Sequence, residues 1–485
     1  MNRRTFLRLV PGGIATAVAG GMAAETTTRA RRPNILLITA DDMNHDSLGV
    51  TGCKIPGITP NLDRLASEGM RFRHAHVSIA VCQPCRSVLM TGRYPHRNGA
   101  EGFEQIDPDV PTLQESLRAG GYLNGIMGKV SHLTPKRKFC WDTEVTPDKL
   151  RAGRDPAMFY EHAKAFFEQA KDAGKPFFLM ANSHDPHRPF PASEQEQRAR
   201  KKKRKRKMPW DFPPASKHYR AEEVRVPGFL PDLPNVRKEV ARYYAAVHRC
   251  DETVGQILRA LHETGQVANT LVMFLSDHGM AFPFAKTNCY LNSTRTPWIV
   301  RWPGRVKRGA VDREHFISGI DFMPTVLDAT GLSPVEGVDG RTFLPLLKGR
   351  QQAGRDRVFT VFFKTAARRE YPMRCVQTRK YGYIFNAWSD GETVFKNESQ
   401  SGLTFKAMQA AAKMDAAVAA RVKLFQYRAP EELYDFAKDP DALHNLIDDP
   451  TLKDEVRKLQ AALLEMMVRT NDPLLERFKK HLGRS

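Results

Sequence analysis

Short, largely apolar runs recur between residues 34 and 302, and each ends on a polar or glycine-containing motif. Residues 34–39 (NILLIT), 122–127, 176–181, 271–275 and 298–302 have this form. A strand that is apolar at nearly every position, not at alternate ones, is covered on both faces, as in a parallel sheet between helices. Helical signals lie between these runs. Thr59 and Pro60 read as N-cap and first-turn proline of a helix closed by Gly69. Residues 111–119 stop at Gly120-Gly121, and 321–330 stop at Gly331. Residues 159–173 form another helix. Residues 236–264 place Val240, Tyr244, Val247, Val254, Ile257 and Leu261 on one face of a long amphipathic helix. Strands alternating with helices predict an α/β fold, a large mostly parallel sheet flanked by helices. In such folds ligands sit beyond the carboxyl ends of the strands. The polar motifs after residues 39, 127, 181 and 275 all fall there.

Beyond about residue 350 the texture changes. Residues 358–363 and 381–388 read as strands of a second, smaller sheet, and 408–425 and 452–468 as helices. No internal repeat is present. The chain therefore divides into residues 31–350, carrying the chemistry, and 351–485, a smaller C-terminal α+β domain. Residues 1–30 include Arg3-Arg4-Thr5-Phe6-Leu7-Arg8, a mildly apolar stretch and small residues near Ala19 and Ala24. This pattern resembles a twin-arginine export signal, which predicts a periplasmic or extracellular protein. No later stretch reaches transmembrane length.

Charge narrows the partners. Lys and Arg outnumber Asp and Glu 75 to 54, a net +21, and nine of the ten residues 198–207 are basic. This balance fits an acidic partner, and the run reads as a mobile basic insertion able to gather a polyanion. No nucleic-acid-binding motif accompanies it. Oligomeric state is not readable.

Asp41-Asp42 and Asp277-His278 each follow a predicted strand. Three carboxylates and an imidazole converging from two strand ends make a candidate divalent-cation site, and hard oxygen donors favour calcium or magnesium. Singly, Asp-Asp is equally a helix cap and Asp-His-Gly a turn. Cys82-Gln83-Pro84-Cys85-Arg86 is followed by an apolar turn and Thr91-Gly92-Arg93. A Cys-x-x-Cys pair also reads as a redox couple or half a zinc site, but no second pair exists among the seven cysteines.

The Cys-x-Pro-x-Arg core and its Thr-Gly-Arg sequel resemble the sulfatase signature. The resemblance runs from about residue 33 to 345, and more loosely to 450, where Glu432-Leu433-Tyr434-Asp435 and the following Asp439-Pro440 and Asn445-Leu446 resemble a sulfatase segment. It implies that a formylglycine-generating enzyme oxidises Cys82 to formylglycine, whose hydrate attacks sulfur. It implies one calcium held by Asp41, Asp42, Asp277, His278 and the modified Cys82. Arg86 would stabilise the formylglycine environment. Gly128-Lys129-Val130-Ser131-His132 resembles the family's Gly-Lys-x-x-His element, so Lys129 would bind sulfate and His132 assist its elimination. His184, within Asn182-Ser183-His184-Asp185-Pro186-His187-Arg188-Pro189, would bind sulfate or protonate the leaving group. Lys286 falls where the family places another cation. The stretch from Ser276 to Tyr290 resembles the heparan N-sulfatase branch, the N-sulfoglucosamine sulfohydrolases, although Lys286 stands where that branch has Arg and the His132 spacing follows iduronate-2-sulfatases. The expected activity is sulfate removal from a sulfated sugar or glycosaminoglycan, with N-sulfoglucosamine in heparan as the substrate class. The alternatives are an O-sulfatase for iduronate-2-sulfate or glucosamine-6-sulfate, a phosphonate or phosphate ester hydrolase of the same superfamily, a non-enzymatic glycan-binding protein, and a redox protein using Cys82 and Cys85.

Overall fold

Eight strands build the large sheet: β1 (Asn34–Asp41), β2 (Met70–His76), β3 (Leu123–Met127), β4 (Thr143–Val145), β5 (Phe177–Pro186), β6 (Thr270–Ser276), β7 (Trp298–Arg301) and β8 (Ala310–Ser318). Their order is β4-β3-β5-β1-β6-β7-β2-β8. β1 runs parallel to both neighbours, with Ile38 opposite Ala181 of β5 and Phe274 of β6. Only β7 runs antiparallel, to β6 and β2, so the sheet is mostly parallel as its apolar strands predict. Every residue of β1 and β6 is buried, which explains their unbroken apolar sequences.

The computed structural model describes residues 32–205 and 211–483. The export signal read in residues 1–30 and the last two residues of the 198–207 run lie outside them. Helices fall close to their expected positions: Pro60–Ser67, Leu113–Ala119, Pro156–Asp172, Pro234–Glu263 and Phe322–Thr330. No helix among the described residues is long and apolar enough to cross a membrane.

The second sheet is antiparallel, in the order β12-β11-β10-β9, from β9 (Arg357–Lys364), β10 (Glu370–Thr378), β11 (Tyr381–Asn386) and β12 (Glu431–Asp435). The Glu432-Leu433-Tyr434-Asp435 motif is its edge strand. A buried Arg374–Asp472 pair, 2.9 Å from Nη2 to Oδ1, ties β10 to the chain's last helices. On the other side Val361 N donates to Ser78 O at 2.8 Å, joining β9 to the segment after β2, and the described residues pack as one compact unit.

Two sequence expectations change in form. The helix expected over 408–425 is two, Leu403–Ala411 and Ala416–Tyr427, because Asp415 turns its carboxylate onto the N–H groups of Ala417 and Val418 and starts a new helix. The basic run, read as a loop, is helical over Glu194–Lys205. Glu194–Arg198 and Glu196–Arg200 pairs at 2.9 and 3.1 Å, each one turn apart, support it.

Candidate active site

The site lies where the parallel strands end. β1 delivers Asp41, and the chain then bends through Asp42, which takes the left-handed conformation (φ 68°) that aspartate tolerates better than most residues. β6 delivers Asp277 and His278 beside it, and Asp42 N donates to Asp277 Oδ1 at 3.1 Å. The helix Cys82–Thr91 begins at the nucleophile candidate and carries Arg86 one turn later. Arg86 is wholly buried; it donates to Thr39 Oγ1 at 2.8 Å and Asp277 Oδ2 at 2.9 Å, and its Nη2 lies 3.5 Å from Asp41 Oδ1. Its third partner is Asn182 of β5. One guanidinium thus fixes the Cys82 helix against the ends of β1, β5 and β6.

Two lysines complete the charge web. Lys129 follows β3 through Gly128, where an added Cβ would lie 2.4 Å from the Asn182 carbonyl oxygen, and it pairs with Asp41. Lys286 pairs with Asp42 at 3.0 Å and with Glu398 at 2.8 Å. His132 sits in the short turn Val130–His132, its ring against the edge of Phe103 at 5.7 Å.

The donor set fits a hard divalent cation. Single ligand atoms of Asp41, Cys82, Asp277 and His278 all lie within 4.8 Å of one another. Asp41 Oδ1 and His278 Nε2 are buried and accept no hydrogen bond, and Asp42 Oδ1 meets the Lys286 ammonium at 3.0 Å. His278 Nδ1 faces the Gly279 carbonyl at 3.0 Å, which can only accept, so Nδ1 carries the proton. Burial pushes His278 down to about 4, leaving Nε2 as a bare lone pair 3.4 Å from Asp42 Oδ1 and 3.7 Å from Asp277 Oδ1. Burial, then the charge of Asp41, pushes Asp277 well above the carboxylate range. A cation among these atoms removes both strains.

Burial also pushes the Cys82 thiol up to about 12, despite Lys286 and Lys129 nearby. Cys82 and Cys85 are both free thiols. An unmodified Cys82 therefore stays protonated at neutral pH, which disfavours the redox reading.

Cys82 opens into a cavity of about 630 Å³. Lys129, His132 and Lys286 line it, as expected. His184 does not: it stands behind Lys129, its Nε2 accepting from Lys129 N at 3.3 Å. The histidine of this motif on the wall is His187, three residues later, with Nδ1 donating to Arg188 O at 2.6 Å and Nε2 3.4 Å from Glu398 and 3.9 Å from Asp42. The sequence held His187 in the same motif, but the family resemblance singled out His184 and gave His187 no role. Glu398, Lys396 and Arg369 come to the wall from the second sheet's connections, and no sequence motif marked them. Asp185 lies between Arg154 and Arg249, 2.7 Å from Arg249 Nε, which anchors the whole 182–189 segment.

Comparison with known proteins agrees with this geometry. A family model described as Sulfatase matches residues 33–332, and one described as N-sulphoglucosamine sulphohydrolase, C-terminal, matches 277–395. The chain is 30% identical over 474 residues to human N-sulphoglucosamine sulphohydrolase, covering 92% of each. It is 27% identical to an ulvan-active sulfatase of Formosa agariphila, covering 95% of this chain and 85% of that one. Among solved structures, one in complex with its substrate D-glucosamine-2-N,6-O-disulfate superposes with a TM-score of 0.68 at 18% identity, over 91% of this chain and 99% of the other. A putative sulfatase from Bacteroides fragilis gives 0.69 at 23%, over 92% and 98%. With its signature cysteine at the strand ends and a family match across most of its length, the chain belongs to the sulfatase family.

Proposed function

We propose that this sulfatase removes the N-sulfonate group of N-sulfoglucosamine residues in heparan-type glycans. The observation that carries the reading is the cavity at Cys82, where Lys129, Lys286, His132 and His187 face one space above the Asp41, Asp42, Asp277 and His278 cluster. The N-sulphoglucosamine sulphohydrolase match over 277–395 supports the substrate class, and that segment supplies the wall residue Arg369 as well as Lys286, which stands where that branch has Arg.

Cys82, matured to formylglycine by a formylglycine-generating enzyme, supplies a hydrated aldehyde oxygen as the nucleophile. Asp41, Asp42, Asp277 and His278 would hold calcium, which supplies Lewis-acid polarisation of sulfate oxygens. The rest is done by the chain's own groups. Lys129 and Lys286, fixed by Asp41 and Asp42, present ammonium groups to the sulfate; a fixed cation of this kind is worth roughly 10²–10³ in rate. Arg86 offsets the charge of Asp41 and Asp277 together and keeps the Cys82 helix in register. His187 is placed to deliver a proton to the leaving nitrogen, with Glu398 behind it, and His132 to take one from the nucleophile side. His184 positions Lys129 through the backbone. Export by the twin-arginine route, which carries folded proteins, is consistent with maturation of Cys82 before export.

The test is sulfate release from N-sulfoglucosamine and from glucosamine-6-sulfate, side by side, by enzyme matured in co-expression and supplied with calcium. Release from the N-sulfate alone is expected. Release from the 6-sulfate alone would assign the site to O-sulfated sugars and reject the substrate class. Turnover of a phosphate or phosphonate ester in preference to both would move the protein to the phosphoester branch of the superfamily.

A further inference from the structure

The helix Glu194–Lys205 has two unlike faces. Its inner face is pinned: Arg200 pairs with Glu196 at 3.1 Å and Asp211 at 2.6 Å, and Arg200 and Lys203 lie over the Phe212 ring at 5.6 and 5.0 Å. Its outer face exposes Arg198, Lys201, Lys202, Arg204 and Lys205. Among the described residues no carboxylate pairs with Lys201, Lys202 or Lys205. Positions 198, 201, 202 and 205 are three and four apart, so they form one stripe along roughly 10 Å of helix. Like charges one turn apart, as at Lys201/Lys205, destabilise a helix by about 0.2–0.5 kcal/mol, whereas Arg198 is offset by Glu194 at 2.9 Å. A line of negative charges laid along the stripe removes that repulsion.

The stripe is continuous with the cavity. Gln195 Nε2 donates to Ser401 O at 3.1 Å. Ser401 ends the turn Glu398–Ser401, whose first residue stands on the cavity wall beside Lys396 and Asn397. Between them Arg198, Arg242 and Lys406 share a small depression with Ser401. The path from the cavity rim to the helix therefore passes Lys396, Lys406, Arg242 and Arg198, with Glu194 and Glu239 in the same depression paired to Arg198 and Arg188.

We propose that the exposed face of this helix is a docking strip for the sulfated polysaccharide whose reacting residue occupies the Cys82 cavity. The proposal rests on the substrate class proposed above. The strip adds affinity for the chain without touching the reacting sulfate, so it acts on KM for polymers and not on turnover.

The test is the full-length, matured enzyme carrying Arg198→Gln, Lys201→Gln, Lys202→Gln and Lys205→Gln together. Each cation contact to a polyanion contributes about threefold between 50 and 200 mM salt, so four contribute roughly 10². The variant is expected to elute from immobilised heparin at lower salt and to show a strongly raised KM for long heparan chains with kcat unchanged. Its KM and kcat for monomeric N-sulfoglucosamine should match wild type, which also shows that it folds. Unchanged heparin elution and unchanged KM for long chains would overturn the proposal. So would unchanged heparin affinity with lost binding to phosphatidylserine vesicles or duplex DNA, which would assign the strip to a membrane or nucleic acid. If neither protein releases sulfate from the monosaccharide, the substrate reading fails, and heparin elution still decides the strip.

Discussion

Glu239 is where stability and site geometry meet. It is 4% exposed, in the second turn of the helix Pro234–Glu263, and accepts from Arg188 Nη1 at 2.5 Å, Leu403 N at 3.0 Å and Thr404 N at 2.7 Å. Arg188, 6% exposed, also donates to Ala281 O at 3.0 Å and lies over Phe190 at 4.5 Å. One carboxylate thereby joins the residue after His187 to the helix that follows Glu398–Ser401. Glu239→Ala leaves a buried guanidinium unpaired and two helix-start N–H groups without their acceptor. The first alone costs about 3–5 kcal/mol. Glu239→Gln keeps an acceptor oxygen and loses the charge, for about 2 kcal/mol. Urea unfolding at pH 7 measures both. Burial pushes Glu239 up, but Arg188 and then the Thr404 N–H more than reverse this, so its folded pKa lies below the ordinary glutamate value. Its contribution is therefore present above about pH 4.3 and lost as pH falls through the folded pKa, so the gap between wild type and Glu239→Gln narrows in acid. kcat/KM should fall with Glu239→Ala, because His187 and Glu398 lose their common anchor. A loss under about 1 kcal/mol for Glu239→Ala at pH 7, or a gap that stays constant into acid, would refute the reasoning.

Gly128→Ala should abolish activity and lower Tm, because Gly128 has φ 65° and the new Cβ would sit 2.4 Å from the Asn182 carbonyl oxygen, displacing Lys129; wild-type turnover in this variant would contradict the placement of Lys129. His74, stacked on Phe316 at 4.8 Å, and His96 are both pushed down to about 4, chiefly by burial. Their stabilising effect is full above the unfolded value near 6.5 and is lost as pH falls toward 4, by roughly 1–3 kcal/mol each after allowing for partial exposure. Urea unfolding at pH 7 and 5 should show a smaller acid loss in His74→Gln/His96→Gln than in wild type. Calcium should raise Tm by a few degrees over the chelated protein, since about 2.7 kcal/mol accrues at a hundredfold excess over Kd, and Asp277→Asn should lose the effect. Sulfate should add a further rise when calcium is present and a smaller one in chelator.

Much of the fold was legible because burial dictated composition. β1 and β6 are apolar throughout and end on acids, so both their place in the sheet and the position of Asp41, Asp42 and Asp277 could be read. β2 (MRFRHAH) and β8 (AVDREHFIS) were not read, because each exposes part of one face near the sheet's edge and mixes arginine with apolar residues. The cysteine motif and the two lysines carried spacing that local sequence preserves. Glu398 carried none: it lies in an Asn-Glu-Ser-Gln turn whose composition signals only a turn, and it meets Lys286, 112 positions earlier in the chain (398 − 286), through tertiary packing. His187 was visible in the motif, but choosing it over His184 required knowing that His184 Nε2 is occupied by the Lys129 N–H.

The charge balance of the cluster argues that cation and sulfate bind as a pair. Asp41, Asp42, Asp277 and Glu398 face Arg86, Lys129 and Lys286, so four carboxyl groups meet three cations inside the protein. With all four ionised, a divalent cation added to this set leaves an excess of one positive charge in a buried site, which is costly on its own. A sulfate group arriving at Lys129 and Lys286 offsets that excess. The same group arriving without the cation finds Lys129 and Lys286 already neutralised by Asp41 and Asp42, and is repelled by their carboxylates at close range. Each ligand therefore strengthens the other, and linkage makes the two effects equal in free energy. On the proposed function, the lysines would serve the aspartates when the site is empty of anion and the sulfate when it is not. That double duty explains why both ammonium groups are paired to the very carboxylates that would hold the metal.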